Sequence, residues 1–187
     1  GLPLAWVGLI GAGFLGLGVG AYFTFDHVQI RVNRFLDPSG SEGYQVTRGL
    51  EAFRNGGFFG QGPGEGEIKA ALPDAHTDFV FAVAGEEFGL ILCLVIVALF
   101  AFIVLRGFAR VLREENLFIV LSVAGLMVLF GLQAIINMAS AIHLMPPKGM
   151  TLPFISYGGS SALALALTMG MVLALTKTRP GRRGGEL

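Results

Sequence analysis

The densest set of side chains that could do chemistry is Leu72-Pro73-Asp74-Ala75-His76-Thr77-Asp78-Phe79. A carboxylate such as Asp78 can take a proton from a reacting hydroxyl as a general base. Asp78 or Thr77 would equally suit the N-cap of a helix starting at Phe79, where an oxygen side chain satisfies the first amides and a negative charge complements the helix dipole. Spacing alone leaves both readings open. Ala82, Gly85 and Gly89 follow Asp78 on nearly one face of that helix. Such a face leaves room for a neighbouring helix or for a substrate groove.

Other candidates are weaker. Arg31, Arg34, Arg48, Arg54 and Lys69, with Lys148 further on, could hold an anionic head group or simply anchor the chain at an interface. The stretch Gly60 to Gly66 is glycine-rich but lacks the Gly-Lys-Ser/Thr of a P-loop, and reads as flexible. Gly11-Ala12-Gly13-Phe14-Leu15-Gly16 matches a dinucleotide fingerprint only in letters, because it lies inside an apolar run with no strand before it. Close helix packing through small residues is the better account, as in Gly16-xxx-Gly20. No two histidines have metal-ligand spacing, and Cys93 is the single cysteine, so neither a metal–thiolate site nor a disulfide framework is expected.

The elements that must position these residues follow from composition. The chain has 187 residues, 53% hydrophobic and only 14% charged, with 13 Lys+Arg against 13 Asp+Glu. Soluble domains carry about 25% charged residues. No Asp, Glu, Lys or Arg occurs in 1–25, 88–105, 116–147 or 149–176. A bilayer core about 30 Å thick needs roughly 20 apolar residues per helix, and each window is near that length. The composition excludes a soluble enzyme, a nucleic-acid binder and a disordered tail. It predicts an all-α polytopic membrane protein in one integral-membrane domain over 1–187, with spans at about 4–25, 79–105, 117–144 and 158–176. The chain begins Gly1-Leu2-Pro3 without a basic leader, and reads as cut from something longer.

Residues 26–78 form a polar insertion too long for an ordinary connection. Val28, Val32, Phe35 and Leu36 have helical spacing, and Val46, Leu50 and Phe53 repeat the pattern, predicting two short amphipathic helices at the membrane surface. Pro146-Pro147 stops the third span, since proline cannot continue a helix. Within the spans, Glu86 and Glu87 lie about 12 Å beyond Asp78 on a regular helix, and ionisable groups at such depth face a cavity or a partner. Gln133, Asn137 and Ser140 share a face, for which interhelical hydrogen bonding is the default. The turn Arg106 to Arg113 and the tail with Lys177, Arg179, Arg182 and Arg183 are densely basic. The 26–78 segment has five cations against eight acids, and 145–157 has only Lys148. The positive-inside rule places turn and tail (177–187) in the cytoplasm, and the long loop and the Pro-Pro turn outside.

These residues also carry a resemblance. The stretch Leu72 to Glu87 (LPDAHTDFVFAVAGEE) and the stretch Pro147 to Ser161 (PKGMTLPFISYGGSS) resemble the SEDS family of bacterial cell-wall polymerases. Arg34-Phe35-Leu36-Asp37-Pro38, Gly43-Tyr44-Gln45 and Gly60-Gln61-Gly62-Pro63-Gly64 are similar to the same family's outer loop, in the same order. Within the family, Lys148 to Pro153 is more like the division branch than the elongation branch.

The resemblance implies the last four helices of a fold of about ten. It also implies a multi-pass protein of the bacterial inner membrane, at the division septum, that polymerises lipid II into glycan strands as a peptidoglycan glycosyltransferase. The implied partner is a class B penicillin-binding protein (an FtsI-like transpeptidase) with other divisome membrane proteins, and no nucleic acid. The small face at Ala82, Gly85 and Gly89 could then serve that partner in place of substrate. The family's essential loop aspartate maps onto Asp78, which would deprotonate the acceptor hydroxyl. Arg34, Arg48, Lys69, His76, Glu86, Lys148 and Ser156 remain as substrate-binding candidates. Cations, or a divalent metal such as magnesium, are expected to stabilise the pyrophosphate leaving group. Without six expected helices, the piece alone is expected to be inactive. Two rival functions, a lipid II flippase using Glu86 and Gln133 and a non-catalytic scaffold for the transpeptidase, leave Asp78 dispensable.

Overall fold

The structure, a computed structural model, describes residues 3–36, 41–67, 76–112, 114–146 and 148–177, without the side chains of 34 and 41–46. Six helices occur among them: α1 (Leu4–Thr24), α2 (Asp26–Leu36), α3 (Ser41–Gly56), α4 (Val80–Val111), α5 (Leu117–Ala141) and α6 (Gly159–Thr176). Four of these, α1, α4, α5 and α6, are long and apolar enough to cross a membrane. The protein is an all-α polytopic membrane protein, as its charge-free windows require. The described chain divides into two compact units, 1–47 and 48–187.

In the first unit α1 is apolar all round and buries none of its residues, the pattern of a helix whose surroundings are lipid or other helices. Phe25 in extended conformation separates it from α2. The two helices are joined by a hydrogen bond from Tyr22 Oη to Asn33 Oδ1 of 3.1 Å. α2 turns Val28 and Phe35 partly inward, whereas Val32 and Leu36 of the expected stripe are exposed.

In the second unit α5 is the central element, with α4 and α6 packed on it. Asn116 starts α5 by accepting a hydrogen bond from the Phe118 amide at 3.0 Å. Phe81, Cys93, Ile96, Phe100, Phe130, Ala134, Leu152 and Leu165 form the main core, with Phe100 and Phe130 rings 5.7 Å apart. A second cluster, Val111, Val123, Met127 and Val172, closes the other end. α4 runs to Val111, so Arg106 and Arg110 ride on its last turns and the basic connection is shorter than expected. Long arginine side chains allow this, because their stems lie along apolar surface while the charge reaches water.

α4 is not continuous. Gly89 has φ 76° and ψ −173°, a conformation open essentially to glycine alone. The break frees backbone groups on both sides, and the loop after α3 takes them up. Gln61 and Gly62 amides donate to the Glu86 and Glu87 carbonyls at 3.0 Å each. The Leu90 and Ile91 amides donate to the Gly57 and Phe58 carbonyls at 2.9 and 3.4 Å. The glycine-rich loop is therefore docked along 57–62 where flexibility was expected, since buried peptide groups need partners. The small face of α4 is likewise filled from within. Phe53 of α3 lies against Gly85, where a Cβ would stand 2.5 Å from its ring, and Gly89 meets the backbone of Phe58 and Gly60.

Candidate functional site

Asp78 stands where three elements converge. α4 starts two residues later, at Val80, with Phe79 at the N-cap position and giving no side-chain cap, so the helix begins one residue beyond the expected start. Phe79 is buried against Ala52 and Ala82, which anchors the start of α4 beneath the second half of α3. Asp78 itself is half-buried.

The second element is the segment 148–158 between α5 and α6. It was expected as a turn at the surface, yet it dips into the bundle. Gln133 donates to the Thr151 carbonyl at 2.9 Å, Asn137 donates to the Met150 carbonyl at 2.6 Å, and the Phe154 ring lies 6.3 Å from Phe130. Phe130 is about 16 Å along the helix axis from the Ala141 end. Non-helical backbone at such depth survives only when protein groups satisfy it. The α5 amides do so, and Leu152 and Pro153 are buried beside them. Ser156 Oγ accepts from the Leu152 amide at 2.8 Å, and the Tyr157 amide donates to the His76 carbonyl at 3.0 Å.

The third element is α5, through Asn137, whose Nδ2 also donates to the Asp78 carbonyl at 3.0 Å. The chain at 76–78 is thus held on both sides, at His76 by Tyr157 and at Asp78 by Asn137. Asp78 Oδ2 would stand 3.6 Å from a Cβ placed on Gly149. Gly149 has φ 62°, which lets the chain turn there at no steric cost. Lys148, its neighbour, is exposed.

The structure therefore brings Asp78, His76 and the Lys148–Gly149 backbone together. Ser156 belongs to the same segment, but its hydroxyl serves the turn. Arg48 is paired with Glu51 at 2.8 Å, one turn along α3 and about two-fifths exposed. Glu86 is fully buried, and a Cβ on Gly66 would stand 2.7 Å from its carboxylate. Arg34 belongs to the other compact unit, and its side chain lies outside the described residues, as do Lys69, Asp74 and the tail arginines. Among the described residues no three His, Cys, Asp or Glu side chains gather to hold a metal. Asp78 supplies one carboxylate, which alone does not make a divalent-cation site.

The polar stripe on α5 has a different job from the one expected. Gln133 and Asn137 hold loop backbone, and Ser140 Oγ donates back to the Asn137 carbonyl at 2.8 Å. Two amides one turn apart, just before a proline pair, were the sequence signal for this.

The family model described as "Cell cycle protein" (FtsW, RodA and SpoVE) matches residues 1–180. The chain belongs to this family. It is 52% identical over its full length to the probable peptidoglycan glycosyltransferase FtsW of Caulobacter vibrioides (strain NA1000 / CB15N), covering 48% of that protein. The protein of the same name from Geobacter metallireducens is 42% identical over 168 residues, 86% of this chain and 44% of its own length. That of Halomonas elongata is 39% identical, over 96% of this chain and 46% of its own. A chain of a solved peptidoglycan synthase complex, described as coordinating polymerization and crosslinking, superposes with TM-score 0.75 at 28% identity. The superposition covers 96% of this chain and 50% of the other. The chain spans about half the length of the curated relatives it matches.

Proposed function

We propose that the protein containing this chain is a peptidoglycan glycosyltransferase that polymerises lipid II in septal wall synthesis, with Asp78 as its general base. Its relatives' names and the family match support the activity. The observation that carries the residue assignment is the tethering of the chain at 76–78 from two sides, which fixes a half-buried carboxylate at one end of the bundle. The charge bias of the sequence puts that end outside the cytoplasm, where the sugars of a lipid-linked donor would lie.

In the reaction Asp78 takes the proton of the acceptor's GlcNAc hydroxyl. The freed oxygen pair attacks the donor's anomeric carbon with inversion, and the bond to the lipid pyrophosphate breaks with its electrons leaving on the phosphate. General-base help of this kind contributes about 10²–10⁴-fold. Lys148, exposed next to Gly149, would offer positive charge to the departing anion. The likeness to a synthase-complex chain supports a class B penicillin-binding protein as partner; the family match and the relatives' names are the ground for reading other divisome proteins alongside it and a septal inner-membrane location.

The flippase reading is less well supported. Glu86 is fully buried and Gln133 is bonded to Thr151, so neither faces an open path among the described residues. The test is glycan-chain formation from purified lipid II by the full-length protein with its partner, a transpeptidase inhibitor present. Asp78→Ala should abolish chains while partner binding persists; chains of parental length and yield would remove Asp78 from the mechanism.

A further inference from the structure

We infer that Asn137 is a positioning residue, fixing where Asp78 stands against the Lys148–Met150 segment; the catalytic consequence rests on Asp78 being the base. Asn137 is 1% exposed. Its single Nδ2 donates to two carbonyls from distant parts of the chain, Asp78 at 3.0 Å and Met150 at 2.6 Å. An amide nitrogen has two protons, and both are used. The orientation of the amide follows from its partners, because an oxygen in that place would face two carbonyl oxygens. Its Oδ1 is buried and accepts nothing among the described residues. An acceptor left dry in the interior is a cost, so what the side chain contributes here is its donor pair.

What that pair joins matters for chemistry. One partner is the backbone of Asp78 itself. The other lies one residue from Gly149, where a Cβ would stand 3.6 Å from Asp78 Oδ2. A second tie lies close by, from the Tyr157 amide to the His76 carbonyl. One side chain on α5 therefore holds both the backbone of Asp78 and the segment that approaches its carboxylate. A displacement of about 1 Å at a reacting group can cost roughly 10²-fold, so the tie acts on turnover more than on affinity.

Asn137→Asp tests this at constant volume, because it replaces the donor pair with oxygens and leaves the packing alone. The first readout needs no activity. In full-length protein freed of its other cysteines, the pair Asp78→Cys and Gly149→Cys should close to a disulfide under mild oxidant. Adding Asn137→Asp should slow that closure about tenfold or more, as expected when a fixed geometry is released. The second is steady-state polymerisation with Asp78 intact: kcat should fall about 10–100-fold, with KM for lipid II changed less than about threefold, and the protein still eluting with its partner. Asn137→Leu serves as a second variant and should behave alike. Closure at the parental rate in both variants would overturn the inference. Slowed closure with a fully active Asp78→Asn protein would instead sink the general-base reading, while leaving the tie standing.

Discussion

Two places in the bundle take backbone out of helix within the apolar spans, and they solve the same problem differently. At Gly89 the freed groups of α4 pair with the backbone of loop 57–62, peptide to peptide. At 148–152 the dipping segment is held by side-chain amides of α5, Gln133 and Asn137. The first clasp depends on no side-chain function, only on residues small enough for two backbones to touch. The second depends on two named amides and also reaches Asp78. The difference teaches where the molecule is rigid by construction and where its geometry is open to adjustment through single side chains.

The largest effect should come from the backbone clasp. Gly89→Ala adds a Cβ 2.5 Å from Phe58 O and Gly60 N at a positive φ. Backbone strain of about 1–3 kcal/mol then adds to overpacking of a similar size. The full-length protein should fail to accumulate or lose most of its folded fraction in a thermal melt. A stable Gly89→Ala protein would show that the loop releases α4 easily.

Next comes the side-chain clasp. Asn137→Leu strands the Asp78 and Met150 carbonyls, each a loss of about 1–3 kcal/mol if it stays dry. Denaturant unfolding should register the loss, and amide exchange should speed up around 76–79 but not at Gln61 or Gly62. Equal acceleration at both clasps would mean they are one cooperative unit.

Gly149→Ala should be milder. The added methyl would sit at an ordinary contact distance from Asp78 Oδ2, so the cost is mainly the positive φ, about 1–2 kcal/mol. Polymerisation should drop several-fold with little change in melting. Smallest is Arg48→Gln: an exposed ion pair contributes about 0–1 kcal/mol, and stability by melting should stay within about half a kcal/mol.

Much of this was legible in the residues. Charge-free windows mark the spans because a hydrocarbon core excludes ions, whereas spacing left Asp78 open between base and helix cap, and only the family resemblance singled it out. What hydropathy could not reveal is how each peptide group is satisfied. The apolar run through Gly89 looks continuous, since a break costs nothing in composition when another loop supplies the hydrogen bonds. Pro146-Pro147 says that α5 must stop, but not that the chain then turns inward. Gln133 and Asn137 announced that polar partners existed, and those partners were loop carbonyls, which every residue carries. The same blindness explains Ala82, Gly85 and Gly89: small residues mark a close approach without saying by whom.

The central claim is that the negative charge of Asp78 drives glycosyl transfer. Its most direct test is single-turnover glycan synthesis from lipid II by the full-length protein with its transpeptidase partner, comparing parental protein with Asp78→Asn. The asparagine keeps the size and the backbone tie to Asn137 while removing the base. The predicted result is a rate lower by about 10²–10⁴-fold with lipid II still bound; an Asp78→Asn complex that polymerises at the parental rate would contradict the account.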